Sequence, residues 1–164
     1  MKQTLYSKEI MKYFRKPKNV GIIKNPDGKG RVGNLICGDV MELYIKVKSN
    51  KIIDAKFQTF GCVVALAVSS ILTEMVKGKT INQAMKITNK DILKQAGKVP
   101  PIKVHCSFLA ANALKEAIYN YLSKNNLKIP EKLKKEHKKI KSNLKQVEEK
   151  YEELVEIEKK MLDK

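Results

Sequence analysis

Between residues 40 and 60 apolar and polar side chains alternate in two runs. Met41, Leu43, Ile45 and Val47 alternate with Glu42, Tyr44, Lys46 and Lys48, and Ile53, Ala55, Phe57 and Thr59 alternate with Asp54, Lys56 and Gln58. A period of two with one apolar face is the pattern of a half-buried strand. The Ser49-Asn50-Lys51 break makes the pair an antiparallel hairpin, and an earlier strand is expected around Arg31 to Ile36. Ahead of it "NVGIIKNPDGKGRVGN", rich in Gly, Pro, Asn and Asp, reads as loop.

Elsewhere the period lengthens to that of helices. "SKEIMKYFRKP" predicts a short helix capped by Ser7, with Ile10, Met11 and Phe14 on one side and Pro17 as its stop. After Cys62, "VVALAVSSILTEMVKGKT" predicts a helix closed by Gly78 at C′. Two short helices follow behind Thr80 and Thr88 caps. "SFLAANALKEAIYNYLSKNN" predicts a strong amphipathic helix capped by Ser107, with Leu109, Ala113, Ala117 and Tyr121 in one stripe. Strands first and helices after give an α+β fold: a small three-stranded antiparallel sheet with helices packed on one face.

"NNLKIP" marks a boundary, so residues 1–126 are read as one domain and 127–164 as a helical C-terminal extension. Within the extension Leu133, His137, Ile140, Leu144, Val147, Tyr151, Leu154, Glu158 and Met161 step by fours and threes, a heptad seam. Pro130 sits where a first helical turn tolerates it. This long amphipathic helix either packs on the domain or pairs with another chain as a homo-oligomer contact, and His137 and Glu158 weaken the seam.

The net charge is +17, unevenly spread. Residues 1–130 hold 23 Lys/Arg against 8 Asp/Glu, or +15, and residues 131–164 hold 11 against 9, or +2. The basic half suits phosphate or acidic protein surfaces. Its lysines are scattered, however, and Arg occurs only at Arg15 and Arg31, which disfavours specific nucleic-acid reading. No apolar run approaches the roughly 20 residues of a membrane helix, so no membrane role is expected. The first residues lack the apolar core and cleavage site of a secretory signal. An odd count of three widely spaced cysteines then argues for reduced thiols in the cytoplasm.

Each cysteine falls at an element boundary. Cys37 precedes Gly38-Asp39 at a strand start, Cys62 follows Gly61 just before a helix, and Cys106 follows His105 at a helix N-terminus. A helix dipole lowers the pKa of a thiol at its start, and Lys103 would add to this. A free cysteine often packs merely as a small hydrophobe, a lone histidine is more often structural, and Asp39 suits a turn. Three thiols, one imidazole and one carboxylate together are enough for a four-coordinate zinc or iron–sulfur site, although no CxxC pair is present.

"CGDVMELYIKV", "FGC…SSILTEMVKGKT" and "PPIKVHCS" resemble, in order and separation, the three segments of IscU/NifU N-terminal-type iron–sulfur cluster assembly scaffolds. "YSKEIMKYFRKPKNVG" is similar to that family's opening, and the likeness covers about residues 4–125. The resemblance implies an IscU-like fold and a non-enzymatic scaffold. Such a protein takes sulfur from a cysteine desulfurase, builds a transient [2Fe–2S] cluster from iron, and passes it to apo iron–sulfur proteins. It implies Cys37, Cys62 and Cys106 as cluster ligands, Asp39 as a ligand that tunes lability, His105 as a possible fourth ligand and Lys103 as a bordering residue. Cys106, then Cys62, are the implied persulfide acceptors. Pro100, Pro101, Ile102 and Lys103 match the segment that a DnaK-type chaperone, working with a co-chaperone, recognises in relatives. The two prolines are expected to hold that approach extended.

Two departures stand out. Val63-Val64 replace the usual Gly and small residue after the second cysteine, which would stiffen that turn and either slow sulfur transfer or stabilise a cluster. The helix after residue 130 is an addition without the extra cysteines of a full NifU. One rival is a zinc-holding, SufU-like sulfur carrier, against which the 43 residues between Cys62 and Cys106 weigh. A second rival is a basic binding module with a structural metal site. Zinc can also occupy thiolate sites built for iron.

Overall fold

In the computed structural model, residues 5–162 are described, without the side chains of 158, 159 and 162. Glu158 of the expected seam therefore lies outside the described side chains. Three strands, β1 (Gly28–Gly33), β2 (Val40–Lys48) and β3 (Lys51–Phe60), form one antiparallel sheet in the order β1-β2-β3. The hairpin turn is Ser49-Asn50, both with positive φ, pairing Lys48 with Lys51. Two left-handed residues match the natural twist of a two-residue hairpin.

The alternation of β2 is as expected: Met41, Leu43 and Ile45 are buried. In β3 the face is different. Lys46 pairs with Asp54 but Val47 with Ile52, so Ile53 is a bulge residue. The bulge turns Ile53 to solvent and puts Ile52 into the core beside Ala55 and Phe57. β1 lies earlier than the expected Arg31 to Ile36: it ends at Gly33, and residues 35–37 are a turn. Gly28 and Gly30 are strand residues, and a Cβ at either would meet the backbone of the helix packed on them: Ala117 O at 2.2 Å from Gly28 and Ala113 O at 2.2 Å from Gly30. The glycines permit close helix-on-strand packing.

The helices are α1 (Lys8–Arg15), α2 (Val63–Val76), α3 (Ile81–Met85), α4 (Asn89–Ala96), α5 (His105–Lys124) and α6 (Glu131–Leu162). Ser7 accepts from Ile10 N at 3.1 Å and caps α1, whose inward residue is Ile10, while Phe14 is exposed. Thr80 and Thr88 close full capping boxes with Gln83 and Asp91. Gly78 adopts positive φ after α2. α5 begins two residues before the expected cap: Ser107 donates to Val104 O at 2.7 Å instead, which places His105 and Cys106 in the first helical turn. No described helix is long and apolar enough to cross a membrane.

α6 lies against α5 and β1, burying Leu133, Ile140, Leu144 and Val147. Each such side chain contributes on the order of 2 kcal/mol. His137, the polar interruption of the seam, stacks on Tyr119 at 3.7 Å and bonds buried Glu116 through Nδ1 at 2.9 Å. Burial holds the Glu116 carboxyl above its usual range, although His137 and Lys141 favour its charged form. The folded chain keeps this proton where the unfolded chain has lost it. The contribution to stability is therefore largest in acid and is lost as pH rises through the folded value. Glu116→Gln is accordingly expected to raise the thermal midpoint at pH 7 and to change it little at pH 4, which melts at the two pH values will test.

Candidate metal centre

The three cysteine-bearing segments meet at one end of the sheet. Residues 34–39 join β1 to β2 as a closed loop: Gly38 N donates to Asn34 O at 2.8 Å, and Asn34 N to Asp39 O at 2.9 Å. The Asn34 carboxamide oxygen accepts from Ile36 N and Cys37 N. Cys62 occupies the N-cap of α2 directly after β3, and Cys106 sits in the first turn of α5. Asp39 is buried, and its Oδ2 accepts from Cys62 N at 3.5 Å. Gly61 makes room for this carboxylate, since a Cβ there would lie 2.9 Å from Asp39 Oδ2.

Asp39, Cys62 and Cys106 bring one ligand atom each to within 4.8 Å of one another. The Cys62 and Cys106 sulfurs are 3.5 Å apart, and Cys106 Sγ is 3.9 Å from Asp39 Oδ2. The thiol pair shares a proton. Cys62 is pulled down to about 6, first by the hydrogen bond from Cys106 and then by the first-turn N–H groups of Ala65 and Val64. Cys106 is pushed up by its hydrogen bond with the Cys62 sulfur and by burial. Of the pair, Cys62 is half-exposed and is the sulfur drawn towards the thiolate, whereas Cys106 has 0% exposure. Val63-Val64, the unusual pair, form the start of α2, and Val64 is a core residue.

Of the other expected site residues, Cys37 stands outside the close trio, on its edge. Burial raises its thiol, and the Asp39 carboxylate beside it adds to the rise. His105 is also outside the trio, but its Nε2 is buried with no hydrogen-bond partner among the described residues. An orphaned imidazole nitrogen one residue from Cys106 is a spare donor. Two sulfurs and a carboxylate, with another thiol and an imidazole at the border, suit iron or zinc in preference to magnesium or calcium. The approach to Cys106 is only partly extended: Pro100 is, but Pro101–Lys103 form a 3₁₀ turn, with Ile102 77% exposed. Sequence reasoning missed Gly61 as a site residue, and the "FGC" triplet was the only local signal for it.

The NifU-like N terminal domain profile matches residues 5–128. Iron-sulfur cluster assembly scaffold protein IscU 1 of Archaeoglobus fulgidus is 54% identical over 121 residues, which cover 74% of this chain and 79% of that protein. The protein named iron-sulfur cluster assembly enzyme IscU in Drosophila melanogaster is 48% identical over 129 residues, covering 76% and 83%. Among solved structures, a putative iron–sulfur cluster assembly scaffold for the SUF system from Fervidobacterium islandicum superposes with a TM-score of 0.61 at 28% identity, covering 72% of this chain and 99% of that one. A nitrogen-fixing NifU-like N-terminal structure from Brucella abortus, at 20% identity and a TM-score of 0.59, shares the fold, covering 73% and 96%.

Proposed function

This chain belongs to the NifU-like N-terminal domain family, and we propose that it is a scaffold on which a [2Fe–2S] cluster is assembled from iron and desulfurase-derived sulfur and then handed to apo-proteins. In this reading residues 1–126 are the scaffold and 127–164 the extension. The observation that carries the reading is the Asp39–Cys62–Cys106 group, three ligand atoms from three chain segments within 4.8 Å. The cluster is cargo. The chain supplies nucleophile and ligands and is not the catalyst that releases sulfur from cysteine.

Sulfur enters by thiol–persulfide exchange. The Cys62 thiolate attacks the terminal sulfur of a persulfide on the desulfurase. A sulfur–sulfur bond forms on Cys62, the one on the desulfurase breaks, and the desulfurase cysteine leaves as a thiolate. From sequence Cys106 is expected to accept first, but its 0% exposure reverses the order in this proposal: Cys62 takes the sulfur first, and the Cys106 thiolate then attacks it across their 3.5 Å gap, with the Cys62 thiolate leaving. A thiol or other two-electron donor then reduces the outer sulfur to sulfide and frees the cysteine thiolate, and iron would be held by Cys37, Cys62 and Cys106, with Asp39 or His105 completing the shell. A shell with one oxygen or nitrogen ligand releases its cargo more readily than four thiolates. Lys103, in the 3₁₀ turn ahead of Cys106, would border the site, and the exposed Pro101-Ile102 step of Pro100–Lys103 is the surface a DnaK-type chaperone and its co-chaperone would read. The distal part of α6, with Leu154, Ile157 and Met161 exposed, is the stretch open to a second copy. Reduced thiols suit the cytoplasm.

Anaerobic incubation of metal-free protein with ferrous iron, cysteine and a cysteine desulfurase tests this function. Visible absorption and Mössbauer spectra of a [2Fe–2S] cluster, and its passage to an apo-ferredoxin, are the expected result. A protein that stays colourless and keeps tightly bound zinc overturns it.

A further inference from the structure

α6 reaches past the core to the Cys37 loop. The Tyr151 hydroxyl donates to the Gly38 carbonyl, a contact 113 residues apart in sequence. One turn earlier, the Arg31 guanidinium meets Glu148 at 2.9 Å, and Val147 packs within 3.2 Å of the position a Gly33 Cβ would take. Between loop and helix lies a cavity of about 280 Å³, walled by Leu35, Ile36, Cys37, Val147, Tyr151 and Leu154. Besides this contact with α6, the loop is held by the Asn34 bonds at its own base and by the Asp39 carboxylate at its far end, which meets Cys62 N and Cys106 Sγ.

We infer that Tyr151 is a positioning residue for Cys37: by pinning the Gly38 carbonyl, α6 latches the loop that carries this thiol and restrains its movement relative to the Asp39–Cys62–Cys106 group. Gly38 is the residue between Cys37 and Asp39, so fixing its peptide limits both neighbours. The Cys37 sulfur lies at the edge of the trio, and the latch sets how freely it swings towards or away from the cleft. The consequence for cargo rests on the scaffold reading: a restrained Cys37 retains a cluster longer, and a freed one lets it go sooner. The latch itself is a property of the metal-free chain.

The experiment is competitive alkylation of full-length, metal-free protein by iodoacetamide at fixed pH, with each cysteine followed by mass spectrometry. Tyr151→Phe, which keeps the ring and removes the donor, is expected to raise the Cys37 rate about five-fold relative to Cys62 in the same sample, the weight of one hydrogen bond. The thermal midpoint should fall by no more than about 3 °C. Tyr151→Ala should give at least the same rise. In reconstituted protein, transfer to apo-ferredoxin should quicken by a similar factor. An unchanged Cys37 rate in Tyr151→Phe overturns the inference, as does a rise seen only in Tyr151→Ala, which would make the residue a packing element. Equal acceleration of all three cysteines overturns it too, because that is general loosening. Faster Cys37 alkylation in a protein that assembles no cluster upholds the latch and fails the scaffold reading, so the two are separable.

Discussion

Cys62→Ser is expected to lower the cluster retained after reconstitution at least ten-fold while leaving the fold intact. Groups that only orient a metal's ligands typically cost about 10–100-fold when removed, and loss of a ligand itself costs no less. The fold should survive because Cys62 is half-exposed at the N-cap of α2, where its side chain closes no cap bond. Serine is a preferred N-cap residue, so the melting midpoint should hold or rise. Cys106→Ser should lose the cluster equally but behave differently in the melt. Its side chain has 0% exposure, and burying a hydroxyl there costs about 1–3 kcal/mol unless it is satisfied. Iron and sulfide per chain, together with circular dichroism melts of the two metal-free variants, measure both properties. A structural metal site would instead unfold with either substitution, and that outcome would remove the scaffold reading.

The contrast between the two cysteines was only half legible in the sequence. That each thiol sits at an element boundary could be read from local pattern, because Gly, Asp and His flank them where the period changes. That the two thiols are coupled, with the half-exposed Cys62 the more acidic, depends on a 3.5 Å contact between α2 and α5, which no local pattern encodes. Similarly, Thr80 and Thr88 announced their helices because a capping box is local chemistry. The α5 start was misplaced because Ser107 is as good a cap by composition as any, and tertiary packing drew His105 and Cys106 into the helix ahead of it. His137 looked like a flaw in a heptad seam. Its partner Glu116 is 21 residues away on the facing helix, where the pair fills a polar gap in an otherwise apolar contact. Strict alternation puts Ile53 on the buried face because it ignores bulges, and the register change at Lys46/Val47 reverses it.

The glycines of β1 misled for a related reason, and they carry the second large effect. Gly-rich sequence reads as loop when only backbone freedom is considered, yet Gly30 is a strand residue pressed against a helix. A Cβ at that position would lie 2.2 Å from Ala113 O and 2.6 Å from Ala117 N, both backbone atoms of α5. Neither can rotate away, so Gly30→Ala must push helix and strand apart. Overpacking of this kind costs about 3 kcal/mol, which in a chain of this size lowers the melting midpoint by about 10 °C. Gly33→Ala is the matched control, because its neighbours are the Val147 and Leu144 side chains at 3.2–3.3 Å. These can shift, and the cost should stay below about 1 kcal/mol. The strain at Gly30 also reaches the site. α5 is one continuous helix from His105 to Lys124, so displacing it at Ala113 moves Cys106 away from Cys62. Gly30→Ala should therefore weaken cluster retention even at temperatures where it is fully folded, whereas Gly33→Ala should not. Equal melting midpoints for the two variants would show that α5 is free to give way, and the close strand–helix contact would then not be what holds Cys106 in place.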